Sequence, residues 1–142
     1  MRRYYWLLLA LFGGLGCGLF GHRHDEDHAE AEGLLLRIGA QEVVRVWDAR
    51  VTGSLSVRVG QELGPIEVYF LDENQRSFQP DPSEYRLQLN VANSAIASVR
   101  SGSSWTFYLR GLAAGQTSLE IVLLHGGHAD FRTPAIPVTV AP

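Results

Sequence analysis

Residues 94–123 read SAIASVRSGSSWTFYLRGLAAGQTSLEIVL and decide the fold. Three short segments in and just beyond this stretch are apolar or alternate between apolar and polar residues: AIASVR (95–100), WTFYLR (105–110) and TSLEIVLL (117–124). The separators RSGSS and GLAAGQ are rich in small and turn-forming residues. No helical period runs through the stretch, so the pattern predicts consecutive β-strands joined by turns.

The same pattern extends outward over residues 34–142. Further segments of this kind are LLLRI (34–38), EVVRVW (42–47), GSLSVRV (53–59), IEVYFL (66–71), YRLQLNV (85–91) and AIPVTV (135–140). Seven to nine strands at this spacing, in about 110 residues, predict an all-β domain with the architecture of an immunoglobulin-like β-sandwich. Pro137 lacks an N–H group, so we expect the last strand to be an edge strand or to carry a bulge.

Alternation assigns faces to several of these strands. Tyr85, Leu87, Leu89 and Val91 are predicted to point into the core, and the same holds for two further sets of alternating residues: Leu55, Val57 and Val59; Trp105, Phe107 and Leu109. A tryptophan at such an inward position indicates core packing.

The stretch at 94–123, with PAIPVTV near the C-terminus, resembles bacterial immunoglobulin-like domains of the invasin and intimin type. The likeness extends from Gly53 to Val140 in a single copy. It implies a surface-exposed module used for adhesion, spacing or carbohydrate contact. That family has no catalytic residues to transfer to this chain.

The N-terminal residues have the composition of an export signal. Met1-Arg2-Arg3 is positively charged, YYWLLLALF is apolar, and small residues lead to Cys17, the only cysteine. The end of this run resembles the lipobox of bacterial lipoproteins, which implies a signal peptide over 1–16 and lipidation of Cys17. An uncleaved signal-anchor is the alternative, although the apolar run is short for a membrane-spanning helix.

Residues 22–32, HRHDEDHAEAE, combine three histidines with five carboxylates. We expect residues 17–33 to form a disordered, solvated tether, because a highly charged segment with no apolar face has little reason to fold. His22, His24 and His28 are nevertheless candidate ligands for zinc, copper or nickel.

A second histidine pair lies in LLHGGHADF (123–131). A two-residue Gly-Gly turn would place His125 opposite His128, with Asp130 on the same face as a third candidate metal ligand. It would also pair Asp130 with Leu123, which lies on the predicted core face. A three-residue loop, 126–128, instead pairs Phe131 with Leu123 and His125 with Ala129; we favour this register because it keeps the carboxylate out of the core.

Charge and motifs exclude several classes of protein. The chain has 12 basic and 15 acidic residues and a net charge of −3, so it offers little attraction for nucleic acid. It contains no G-x-S-x-G elbow, H-E-x-x-H helix or phosphate-binding glycine loop, so we expect no enzymatic activity and no obligatory cofactor.

These features predict a bacterial cell-envelope protein, anchored to the membrane and either periplasmic or surface-exposed. It would comprise a signal peptide (1–16), a lipidated tether (17–33) and one immunoglobulin-like domain (34–142) that serves as a binding or structural module for a protein or carbohydrate partner. One alternative is an envelope lipoprotein that binds a divalent metal through the tether and the His125/His128 loop. The other is a signal-anchored subunit of a larger envelope assembly.

Overall fold

The computed structural model describes residues 30–142, which form two β-sheets packed face to face. The strands are β1 (Gly33–Ile38), β2 (Gln41–Trp47), β3 (Arg50–Gly53), β4 (Leu55–Arg58), β5 (Glu62–Leu71), β6 (Ser77–Phe78), β7 (Tyr85–Val91), β8 (Ala97–Ser101), β9 (Thr106–Gly111), β10 (Gly115–His125), β11 (His128–Arg132) and β12 (Ile136–Ala141). Within this part of the chain, no helix has the length and apolar character needed to cross a bilayer. The predicted all-β sandwich is confirmed.

The first sheet has the order β3-β2-β1-β5-β9-β8, and the short strand β6 also pairs with β5. In the second sheet, β10 pairs on one side with β12 through residues 115–119 and with β11 through residues 122–125, and on the other side with β7; β12 also pairs with β4. Strand β12 runs parallel to β4, with Val138 paired to Leu55 and Val140 to Val57. The remaining strand pairs are antiparallel.

The core lies between the sheets and is built from the inward residues of both. Tyr85, Trp105, Phe107 and Leu109 are buried, as the alternation predicts, and only 7% of Trp105 is exposed. Val59 differs from the prediction: it lies beyond the end of β4, forms a single bridge with Gly111 and is 42% exposed. The burial of β4 therefore ends with Val57.

The domain has more strands than the seven to nine predicted, because short strands form in segments that resemble separators. Strand β3 lies in DARVTG, where Asp48 and Ala49 both adopt positive φ and turn the chain back along β2. A turn of this kind matches the right-handed twist of a hairpin. Strand β6 pairs Phe78 with Phe70, and the Phe78 ring lies 6.2 Å from that of Phe70.

The prediction that the last strand is an edge strand or carries a bulge is wrong, since its register with β10 is also continuous across Pro137. Strand β12 pairs with β10 on one side and with β4 on the other. The pairing with β4 begins at Val138, so one side of the strand is open at Pro137. The missing N–H group is therefore tolerated next to a paired stretch.

Candidate functional site

The hairpin of β10 and β11 combines the two registers that the sequence allows. Gly126 and Gly127 form a two-residue turn with φ values of 55° and 94°, and His125 pairs with His128. Leu123 nevertheless pairs with Phe131, because a bulge between Leu123 and Leu124 shifts the register. The predicted three-residue loop and the pairing of His125 with Ala129 are thus wrong, whereas the pairing of Phe131 with Leu123 is confirmed. A bulge of one residue accommodates both patterns.

His125 lies at the margin of the core beside two groups. Its imidazole stacks on the Tyr85 ring with 4.4 Å between the centroids and 17° between the planes. Its Nδ1 atom lies 3.6 Å from Oδ2 of Asp130, whose side chain is only 9% exposed. The stack fixes the orientation of the imidazole, and the bulge places the carboxylate next to it.

His128 is exposed on the other side of the turn. Within residues 30–142, no three His, Cys, Asp or Glu side chains come together closely enough to hold a metal ion. His125 and Asp130 therefore form a pair that His128 does not complete as a metal site. Cys17, His22, His24 and His28 lie outside the described residues.

The outer face of the first sheet carries arginine and aromatic side chains that the sequence analysis did not single out. We call it the arginine–aromatic face, and it includes Arg37, Glu42, Arg45, Trp47, Arg50, Glu62, Glu67, Tyr69, Arg100, Tyr108 and Arg110. Five of the nine arginines in residues 30–142 lie here with three glutamates, against four arginines and nine acidic residues elsewhere in that range. This face is therefore positive on a domain that is otherwise negative.

Two ion pairs fix part of this face. Arg45 donates two hydrogen bonds to Glu42, at 2.7 and 2.8 Å. Arg100 donates two to Glu62, at 3.0 and 2.6 Å, and its guanidinium lies 3.8 Å from the centroid of the Tyr108 ring. The hydrogen bonds from these arginines lower the pKa of both glutamates. Bidentate pairs of this kind use two of the five N–H donors of each guanidinium and hold the side chains in place.

A shallow depression opens at one end of the arginine–aromatic face, where β5 and the start of β9 meet the loop before β7. We call it the Tyr69 depression; it is lined by Glu67, Tyr69, Gln79, Pro80, Pro82, Ser103, Ser104, Trp105 and Thr106. It thus combines two aromatic rings with hydroxyl, amide and carboxylate groups.

The outward direction of two residues of this site could have been predicted from the sequence. In IEVYFL, Glu67 and Tyr69 alternate with the buried residues Ile66, Val68 and Phe70, so their outward direction follows from the strand pattern. The partners Gln79 and Ser103 come from loops whose position depends on strand pairing within the first sheet: Gln79 follows β6, which pairs with β5, and Ser103 lies in the turn between β8 and β9. Periodicity carries no information about which strands pair.

Comparison with known proteins gives structural neighbours only. No protein-family model and no curated protein matches the chain. Among solved structures, domains 4 and 5 of the S-layer protein SbsC give a TM-score of 0.46 at 21% identity over 64% of this chain and 49% of that chain. Domains 1–6 of the surface layer protein SbsC give 0.45 at 21% identity over 63% and 12%, so the chain spans about half or less of their length.

Proposed function

We propose that this protein is an exported, lipid-anchored component of a bacterial cell envelope, in which one immunoglobulin-like domain acts as a non-enzymatic binding module. The observation that carries the proposal is the arginine–aromatic face, where the first sheet presents aromatic rings and fixed arginines on its outer side. Tyrosine, tryptophan and arginine are the residues most enriched at binding surfaces.

The N-terminal residues support the envelope location. A charged start, an apolar segment and small residues before Cys17 make up a secretory signal of the lipoprotein type. The resemblance of residues 53–140 to invasin-type and intimin-type domains agrees with display outside the cytoplasm. Lipidation of Cys17 also accounts for a cysteine that has no partner in the same chain.

The spacing between Cys17 and β1 defines the reach of the module. Strand β1 begins at Gly33, and a fully extended chain spans at most about 3.5 Å per residue. The domain can therefore stand up to roughly 55 Å from the membrane surface. A tether of this length lets the arginine–aromatic face meet a partner in the envelope.

The anchor is tested by metabolic labelling with radioactive palmitate in a bacterial host, followed by membrane fractionation. We expect the full chain to be labelled and to remain in the membrane fraction. Cys17→Ala should abolish the label while an uncleaved precursor accumulates. Equal labelling of the wild-type chain and Cys17→Ala would contradict the lipid anchor.

A divalent-metal function is the second candidate, and the position of the hairpin favours it. The N–H of Glu32 donates to the carbonyl of Leu71 at 2.8 Å, and the neighbouring Phe70 ring lies 5.9 Å from that of Phe131 in β11. The chain thus enters the sandwich at the same end as the hairpin that carries His125 and His128. Histidines of the tether could then supply the ligands that the hairpin lacks.

The metal candidate is tested by zinc and copper titration calorimetry on the full chain and on two variants, one triple and one double. One replaces His22, His24 and His28 by alanine, and the other replaces His125 and His128. Submicromolar binding that both variants abolish would establish a shared site. Binding lost only with the tether variant would reduce the metal function to a loose histidine tract.

A further inference from the structure

We propose that the Tyr69 depression binds an uncharged saccharide chain built from β-linked pyranoses of the gluco configuration. This inference rests on the proposed binding function and names the class of ligand. Such sugars carry their hydroxyl groups in the equatorial plane and expose apolar C–H faces above and below it. A site for them therefore needs an aromatic ring that stacks on the C–H face and polar groups at the level of the ring edge.

Tyr69 provides the aromatic ring. It lies on the outer face of β5, with its neighbours Val68 and Phe70 fully buried, so the strand holds it rigidly. The Arg37 guanidinium lies 5.1 Å from the centroid of the ring and belongs to β1, whereas the depression lies on the β9 side of β5. Tyr69 therefore has a cation on one side and the depression on the other.

Trp105 forms the second apolar wall. Its ring packs at 85° against that of Phe70, with 5.7 Å between the centroids, and is almost completely buried. The part that lines the depression is thus locked by the core. Pro80 and Pro82 extend this wall with rigid apolar rings, so little conformational freedom is lost when a ligand binds.

Polar groups surround these walls at fixed positions. Nε2 of Gln79 donates to the carbonyl of Val68 at 2.9 Å, which orients the amide. The hydroxyls of Ser103 and Thr106 lie 3.0 Å apart and share a hydrogen bond. Glu67 forms no ion pair with any residue in 30–142, so its carboxylate can accept hydrogen bonds from sugar hydroxyls.

The charges of the site favour an uncharged ligand over an anionic one. Glu67 is a carboxylate within the depression and would repel uronic acid or phosphate groups. Arg45 and Arg100, which could neutralise such groups, already donate to Glu42 and Glu62. Arg37 lies on the opposite side of the Tyr69 ring from the depression, so an anionic polymer would have to bind across Arg37, Arg50 and Arg110, outside the depression.

The test is isothermal titration calorimetry on the full chain in a zwitterionic detergent, because glucoside and maltoside detergents carry sugars that would compete. The probes are cellotetraose and chitotetraose. We expect saturable binding of at least one of them with a Kd below about 1 mM. Tyr69→Ala should weaken it by about tenfold or more, since truncated aromatic anchors lose most of their contact.

Tyr108→Ala is the matched control, because Tyr108 is a half-buried tyrosine of the same face that does not line the depression. It should bind like the wild type. Glu67→Gln supplies a second variant that leaves the aromatic walls intact and should weaken binding by about threefold or more. Thermal unfolding of each variant separates a lost site from a lost fold.

Two results would overturn the proposal: no saturable heat with either saccharide up to about 10 mM, or an equal loss of affinity in Tyr69→Ala and Tyr108→Ala. In the first case, dextran sulfate is tested next, and its binding should be salt-sensitive and abolished by Arg37→Gln, Arg50→Gln and Arg110→Gln if the ligand is anionic. Such binding of dextran sulfate would assign the face to an anionic partner. Palmitate labelling of Cys17 is independent of these measurements, so failure of the saccharide proposal is distinguishable from failure of the proposed anchor.

Discussion

His125 lies directly opposite His128 across a two-residue turn, although two residues earlier in β10, at Leu123, the pairing has shifted by one position. The turn requires positive φ at both glycines, and the bulge that follows restores the contact of Phe131 with the core. Turn geometry and burial each select a different register, and one extra residue in β11 satisfies both.

Replacement of Gly126 by valine should therefore destabilise the domain by about 1–2 kcal/mol, because a β-branched residue is strained at a φ of 55°. Space is not the reason, since nothing lies within 4 Å of the position that a Cβ atom would take. Gly126→Asn is the matched control, because asparagine tolerates this conformation. Urea unfolding measures the difference, and equal midpoints for the two variants would refute the strain argument.

The buried faces of β7 and β9 could be predicted from the sequence, whereas the register of the β10–β11 hairpin could not. Alternation in YRLQLNV and WTFYLR correctly gave the buried faces of β7 and β9, because a half-buried strand imposes its period on the sequence. The register of the hairpin could not be predicted, since a bulge leaves no mark in residue periodicity. The Tyr69 depression could not be predicted for a related reason: Gln79 and Ser103 approach Tyr69 only after β6 and β9 have paired with β5.

Thr133 is the buried polar residue of the described chain. It lies between β11 and β12 and hydrogen-bonds to β10 at Ile121, between the residues that pair with these two strands. Its hydroxyl accepts a hydrogen bond from the N–H of Ile121 at 3.0 Å, and its own N–H donates to the Ile121 carbonyl at 3.0 Å. Thr133→Val keeps the shape but leaves the N–H of Ile121 unpaired in the core. It should cost about 1–3 kcal/mol of unfolding free energy.

Thr139→Val is the control for this change, because Thr139 is exposed on β12. Chemical denaturation of both variants provides the measurement. Thr139→Val should remain within about 0.5 kcal/mol of the wild type. A similarly small effect for Thr133→Val would show that the hydrogen bond to Ile121 contributes little.

Acid stability should depend in part on Glu120. Asn90 donates to its carboxylate at 2.9 Å and Arg132 at 2.6 Å, and these hydrogen bonds lower its pKa. A lowered pKa in the folded state adds stability above the unfolded value, about 4.3, and this stability is lost as the pH falls through the folded value. Thermal unfolding from pH 7 to pH 3 should therefore show a smaller decrease in Tm for Glu120→Gln than for the wild type.

Other carboxylates also have a lowered pKa, for example Glu42 and Asp72, so the decrease in Tm should become smaller without vanishing. Glu84→Gln is the control, because Glu84 is exposed and forms no ion pair within residues 30–142. A profile of Glu120→Gln that coincides with that of the wild type would contradict the assigned role.

The strands before residue 54 should be indispensable, although the family resemblance begins only at Gly53. Strand β1 pairs with β5 along Gly33–Arg37, and β1 and β2 contribute Leu34, Leu36, Val44 and Val46 to the core. Loss of one buried aliphatic side chain typically costs about 2–5 kcal/mol, and a whole domain is stable by only about 5–15 kcal/mol. A chain of residues 54–142 should therefore show no cooperative thermal transition by circular dichroism, since β5 would also become an apolar edge. A chain of residues 30–142 should unfold cooperatively, and a cooperative transition of the shorter chain at the same Tm would mean that β1–β3 are an appendage to the sandwich.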